Sequence, residues 1–192
     1  MENDRKEWRK QKRKLLITAR EAIPKEVHQQ WSQSISGFLK QDFSQLNELV
    51  LGIYWPFRNE YDPRLVAQYF LEQGVTLALP EVVQRNEPLC FRKWTPETAM
   101  KKGEYDIPVP IGTSFVTPNA LLIPMVGFDS RGYRLGYGSG YFDRTLAKYH
   151  TPPIAIGIAF ELQRLPDTYP QSHDIPMHHI ITEAGIHPPI LE

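Results

Sequence analysis

"RLGYGSGYFDR", residues 134–144, decides how the chain is read. Glycine recurs at alternate positions, Gly136, Gly138 and Gly140, with Arg134 ahead of them and Tyr141, Phe142 and Asp143 behind. Upstream, "ALLIPMVGFD", 120–129, is apolar enough for a buried strand and runs into the turn "DSRG". Downstream, Phe142, Leu146 and Tyr149 recur at helical spacing. The order is strand, glycine-rich turn, helix. Glycine admits positive φ and lets backbone N–H groups come close to a ligand. Successive N–H groups in a turn form a concavity for anions, and the following helix adds its dipole. A phosphate is the guest this order predicts. The competing reading of the spacing is a turn built of glycine for tight packing alone.

Known phosphate signatures do not match. No lysine follows Gly140, as a P-loop requires, and Asp143 stands where a dinucleotide fingerprint needs its third glycine. A nucleophile elbow on Ser139 would need glycine at 137 and 141, and both are tyrosine. The flanking residues favour a nucleotide site. Arg134 can fork onto phosphate oxygens, and Asp143 can cap the helix or hold Mg²⁺, which takes one or two carboxylates when phosphate-bound. Tyr141 and Phe142 offer flat faces.

Outward from this stretch, strands alternate with helices. Residues 3–22 lack Gly and Pro and predict a helix, and Pro24 opens a second one running to 40. Strands are predicted at 49–55, 75–80, 88–94, 120–129 and 153–160, with a short one in "HHIIT", 178–182. Asp62 and Pro63 begin a helix that Gly74 ends. Residues 95–118, rich in Pro and Gly, read mostly as loop. The alternation predicts an α/β fold, a single domain over 1–192 with a central mixed, largely parallel sheet flanked by helices.

The composition, 41% hydrophobic over 192 residues, suffices for a sizeable core. Formal net charge is zero, but residues 1–20 hold eight basic against three acidic side chains. A nucleic-acid arm is one reading of that segment, though it lacks interleaved aromatics. The single cysteine, Cys90, excludes an internal disulfide and reads as a buried, inert thiol. No stretch reaches the ~18–20 apolar residues of a membrane span, and no signal peptide is evident. A soluble, cytoplasmic monomer is expected. His173, His178 and His179 lack the spacing and cysteine partners of a zinc site. Trp8, Trp31 and Trp94 read as packing residues.

"RLGYGSGYFDRTL" resembles the G-x-R-L-G-x-G-x-G-Y-Y-D-R signature of the 5-formyltetrahydrofolate cyclo-ligase family. "LIPMVGFDSRGYRLG", "HDIPMHHIIT" (173–182) and "WPFRNEYDP" (55–63) are similar to further family elements in the same order. The resemblance implies ATP- and Mg²⁺-dependent closure of 5-formyltetrahydrofolate to 5,10-methenyltetrahydrofolate, with ADP and phosphate released. It implies ATP contacts from Arg5, Lys6 and Arg9 of the first helix and from Arg134, Leu135, Gly136, Tyr137, Gly138, Ser139, Gly140, Tyr141 and Phe142. It implies folate contacts from Trp55, Glu60 and Tyr141, and metal ligation by Asp143 and Asp174. The partners implied are two small-molecule substrates, without nucleic acid or membrane.

The chain departs from the family pattern in places. Ser139 stands where many members carry lysine, Phe142 replaces a tyrosine, "IPVP" at 107–110 lacks a glutamate, and His178 occupies a frequent Asp position. A non-catalytic relative that binds folate or nucleotide is the alternative these departures leave open.

Overall fold

The computed structural model describes residues 2–188. Helices α1 (Glu2–Glu21) and α2 (Lys25–Asp42) come first, separated by Pro24, followed by strand β1 (Val50–Gly52). A 3₁₀ turn over Pro63–Val66 leads into helix α3 (Ala67–Glu72) and strand β2 (Thr76–Glu81). Strands β3 (Cys90–Lys93), β4 (Met100–Lys102), β5 (Pro108–Pro110), β6 (Phe115–Val116), β7 (Ala120–Pro124), β8 (Gly127–Phe128) and β9 (Arg134–Leu135) follow. Helix α4 (Tyr141–Lys148), β10 (Ile154–Ile158), a 3₁₀ turn at Glu161–Gln163, β11 (His179–Thr182) and β12 (Gly185–His187) complete the order.

Among the described residues, eight strands form one sheet in the order β12-β11-β10-β7-β1-β2-β3-β6. The five central strands, β11, β10, β7, β1 and β2, run parallel, and the outer strands are antiparallel. Parallel strands need cover on both faces. Alternate residues of β7 supply it: Leu122 packs into a cluster with Ile35 and Leu39 of α2 and Phe70 of α3. Leu121 and Ile123 pack into a second cluster with Tyr141 and Leu146 of α4. Each strand therefore shows an almost continuous buried run rather than an alternation.

The connections reverse direction in the middle of the sheet. From β1 the chain proceeds to β2 on one side, and from β7 it proceeds to β10 on the other. In such sheets ligands bind outside the carboxyl ends of the strands where the order reverses. The segment after β1 holds residues 53–62, and the segment after β7 holds the β8–β9 hairpin and the glycine turn. Helix α1 lies over this end, with Leu16 and Ile17 packed on Val126, Leu135 and Leu165.

Several predicted elements differ in detail. Residues 95–118 contain β4 and β5, paired with each other, and β6 on the sheet edge. Strands of two or three residues display no period, and Pro108 and Pro110 read as breakers although edge strands accept them. The strand at 120–129 ends at Pro124 and resumes as β8, which forms a hairpin with β9. Asp129 holds that hairpin: it is buried, and its carboxylate accepts from the N–H groups of Arg131, Tyr133 and Thr168 and from the Thr168 hydroxyl. Asp62 does cap its helix, accepting from Arg64 N–H, but the first turn is 3₁₀. Cys90 is partly exposed rather than buried.

Gly52 lies between strand faces with no room for a side chain. A Cβ there would meet Leu121 Cδ2 at 2.5 Å and Phe91 Cε1 at 2.8 Å. Gly52→Ala is expected to lower stability by about 1–3 kcal/mol through overpacking, read as a lower urea midpoint. An unchanged midpoint would show that the core yields freely here.

Candidate functional site

The glycine turn is open at its tip and anchored at both ends. Leu135, expected among the nucleotide contacts, is fully buried and its carbonyl accepts the Val126 N–H, whereas Tyr137, Gly138 and Ser139 are exposed. Gly138 has φ +104° and Gly140 has φ +66°, conformations that disfavour a side chain. Gly140 opens α4 without a side-chain cap, leaving the helix's first N–H groups beside the turn. Asp143 therefore does not cap the helix.

Arginines surround this turn. Arg13 Nε donates to the Gly136 carbonyl at 2.7 Å, and Arg144 Nη2 donates to the Ser139 carbonyl at 2.8 Å. Arg134 is buried, pairs with Asp143 at 2.8 Å and donates to the Ile175 carbonyl at 3.1 Å. Asp143 in turn accepts the Ile175 N–H at 3.2 Å, so its carboxylate holds the peptide that follows Asp174. Asp174 pairs with Arg9 at 2.9 Å and accepts from Gln171 N–H at 2.8 Å. The two predicted metal ligands are thus brought together, each held by one arginine.

Burial disturbs these charges in a readable way. Desolvation lowers Arg134, and Asp143 and Asp174 oppose that shift. Desolvation would raise Asp174, but the Arg9 and Gln171 hydrogen bonds and the charges of Arg9 and His173 carry it below the usual carboxylate value. Among the described residues, Arg9 Nε and Arg144 Nε are buried donors with no hydrogen-bond partner. Two unspent guanidinium donors beside a turn of exposed backbone suit an anion with several oxygens. The carboxylates fit phosphate-bound magnesium, which needs only one or two of them. No group of three or more His, Cys, Asp or Glu able to hold a bare metal occurs among the described residues.

The loop after β1 closes against the turn through a buried network. Glu60 is buried; its carboxylate accepts from Phe57 N–H at 2.9 Å and from the Tyr137 hydroxyl at 2.7 Å. Arg20 approaches the same carboxylate at 3.6 Å and donates to the Tyr137 hydroxyl at 2.5 Å. Burial raises the Glu60 carboxyl above its ordinary value, opposed by Arg20, Tyr137 and the Phe57 N–H. The Phe57 ring lies 5.9 Å from the Tyr137 ring. Trp55 is partly buried on the core, and the Arg64 guanidinium lies 3.9 Å above its ring. Tyr141 is buried with Arg144 5.0 Å from its ring, and its proximity raises the hydroxyl of exposed Tyr105 above its ordinary value. Phe142 packs toward the core.

Most predicted site residues therefore converge at one end of the sheet. Arg5 and Lys6 lie exposed on the turn of α1 before Arg9. Sequence reasoning missed Arg13 and Arg20. Their signal was present: Arg9, Arg13 and Arg20 are spaced i, i+4, i+11, which places the three arginines on one helical face. All three reach acceptors inside the molecule: Asp174, the Gly136 carbonyl and the carbonyls of the loop after β1. Arg144 and Tyr105 carried no local signal. His178 accepts the Ala155 N–H at 2.9 Å, a structural use. No described helix is long and apolar enough to cross a membrane.

Comparison with known proteins bears on this crevice. The description of the 5-formyltetrahydrofolate cyclo-ligase family matches residues 5–183. A 5-formyltetrahydrofolate cyclo-ligase of Haemophilus influenzae is 27% identical over 159 residues, covering 79% of this chain and 85% of the relative. The enzyme of that name from Mycolicibacterium smegmatis is 26% identical over 182 residues, covering 90% and 92%. The structure of Aquifex aeolicus 5,10-methenyltetrahydrofolate synthetase superimposes with TM-score 0.79 at 25% identity, covering 96% of each chain. The Mycoplasma pneumoniae synthetase shares the fold at TM-score 0.76 and 22% identity, covering 91% of this chain and 98% of that one.

The Arg9–Asp174 pair is expected to appear in the acid stability. A carboxyl held below its unfolded value stabilises above that value, and the contribution is lost as pH falls through the folded one. Asp174→Asn is expected to cost about 1–3 kcal/mol at pH 7 and much less at pH 3, read from urea midpoints at both pH values. An equal cost at the two would exclude an ionised Asp174 as the source.

Proposed function

Because this chain belongs to the 5-formyltetrahydrofolate cyclo-ligase family, we propose that its cyclo-ligase activity is performed at the crevice between the loop after β1 and the glycine turn, acting as one domain over 1–192. The observation that carries this reading is the buried contact of Glu60 with Tyr137, which sets a polar anchor for a folate beside a cradle for phosphate. The family's reaction uses ATP, and the chemistry explains why. The formyl group on N5 is an amide whose oxygen leaves poorly. Transfer of the γ-phosphoryl group onto that oxygen makes a phosphate leaving group. N10 then attacks the formyl carbon and gives up its proton, the carbon–oxygen bond breaks, and phosphate leaves with the five-membered ring closed. No covalent nucleophile from the protein is required; alignment and charge neutralisation are.

The residues divide this work. The amides between Leu135 and Tyr141 receive the phosphate chain, and Arg9, Arg13 and Arg134 neutralise it. On ligand binding, phosphate oxygens take over guanidinium donors that Asp143 and Asp174 now occupy. Those carboxylates would hold magnesium, which supplies charge neutralisation at the phosphates when bound. Arg13 and Arg144 lie against Gly138 and on the Ser139 carbonyl, so they serve in place of the lysine that many relatives carry at 139. Glu60 accepts from folate N–H groups, and Trp55 and Tyr141 wall the folate side. Arg5 and Lys6 add positive potential at the mouth.

Incubation with 5-formyltetrahydrofolate and MgATP is expected to produce methenyl-folate absorbance. Tight folate binding without turnover would instead favour a non-catalytic relative. Asp143→Asn is expected to lower kcat/KM for MgATP by about ten- to a hundredfold, the value of a charge-assisted contact. Glu60→Gln is expected to raise KM for the folate while nucleotide affinity changes less. Equal losses for both substrates in either variant would overturn the division of roles.

A further inference from the structure

The guanidinium of Arg20 has no place in the division of labour above, yet it is among the most completely buried side chains of the molecule, at 1% exposure. Its donors reach four acceptors in three separate segments. Nε donates to the Arg58 carbonyl at 3.0 Å, Nη1 to the Met125 carbonyl at 3.2 Å, and Nη2 to the Phe57 carbonyl at 3.4 Å and the Tyr137 hydroxyl at 2.5 Å. The Tyr137 hydroxyl passes its own proton donor to Glu60 at 2.7 Å. The Asn59 side chain donates back to the Arg20 carbonyl at 2.8 Å, which ties the same loop to the helix a second time.

We propose that Arg20 is a positioning residue that couples the two substrate sites, acting through the Tyr137 hydroxyl so that an ordered glycine turn presents Glu60 to the folate. The proposal rests on the functional reading of the preceding subsection. Tyr137 belongs to the exposed tip of the turn and has no backbone tie of its own to the β1 loop; its hydroxyl is the link. When phosphates order the turn, that hydroxyl is fixed on Glu60, and the carboxylate no longer has to be ordered by the folate. The second ligand then binds with less entropic cost. The coupling is therefore positive and reciprocal. A lysine could carry Arg20's charge but not its fork, because a guanidinium addresses several acceptors in fixed directions whereas an ammonium acts as a point charge.

The test is the affinity of 5-formyltetrahydrofolate measured calorimetrically with and without saturating MgADP, which binds without turnover. The ratio of the two dissociation constants is the coupling, and changes common to both cancel. The wild-type protein is expected to bind folate on the order of tenfold more tightly with MgADP present. Tyr137→Phe removes one hydroxyl and, once circular dichroism and a urea midpoint show it folded, is expected to bring the ratio within about twofold of unity. Arg20→Lys, if folded by circular dichroism, is expected to lower the ratio likewise and to raise the folate KM more than it changes kcat. A wild-type ratio of one, or a Tyr137→Phe ratio equal to wild type, overturns the coupling. Failure of the wild-type protein to bind either ligand overturns the functional reading itself.

Discussion

A guanidinium removed from water must find acceptors for its donors, and Arg20 finds them in the loop after β1, the segment after β7 and the glycine turn. Few arrangements satisfy such a demand, because each unmet donor in the interior costs on the order of 1–3 kcal/mol or more when charged. The need is met only if α1 lies across the carboxyl end of the sheet. That placement brings Arg9 and Arg13 to the same end, since they share the face of the helix. The N-terminal helix is therefore a wall of the crevice as well as part of the packing.

The sheet explains why segments so far apart in sequence meet. Glu60 and Tyr137 are 77 residues apart in sequence, yet their segments follow the adjacent parallel strands β1 and β7. The winding reverses between those two strands, so neither following connection covers the gap. The loop after β1 and the glycine turn meet there, joined by the Tyr137 hydroxyl on Glu60 and the Tyr137 ring beside Phe57. The β8–β9 hairpin, secured by Asp129, sets the direction in which the turn leaves the sheet.

At this end of the sheet the buried ions are paired. Arg9 and Arg134 rest on Asp174 and Asp143. These pairs keep cations and carboxylates adjacent, the arrangement that the proposed exchange with phosphate and magnesium needs. A buried pair of this kind contributes little net stability, because desolvation offsets most of its attraction. Its value lies in holding both halves of a site in position. The replacement of lysine by Ser139 fits the same scheme, since Arg13 and Arg144 already lie at the turn.

The sequence by itself determined the class of fold, the turn and the candidate partners. Buried parallel strands must be apolar on both faces, as "ALLIP" and "IAIGI" are, and Gly138 and Gly140 occupy backbone conformations that disfavour other residues. Those constraints are local, so they are legible in one dimension. The edge strands between 95 and 118 were not legible, because their pairing comes from partners elsewhere and they are too short for a period. Nor were Arg20 and Arg144 assigned to the site, nor Phe57, whose ring lies beside that of Tyr137. Only the tertiary structure decided which of eight basic residues near the N-terminus turn inward. Desolvation makes that choice: a charge is buried where enough acceptors converge, and convergence belongs to the folded chain.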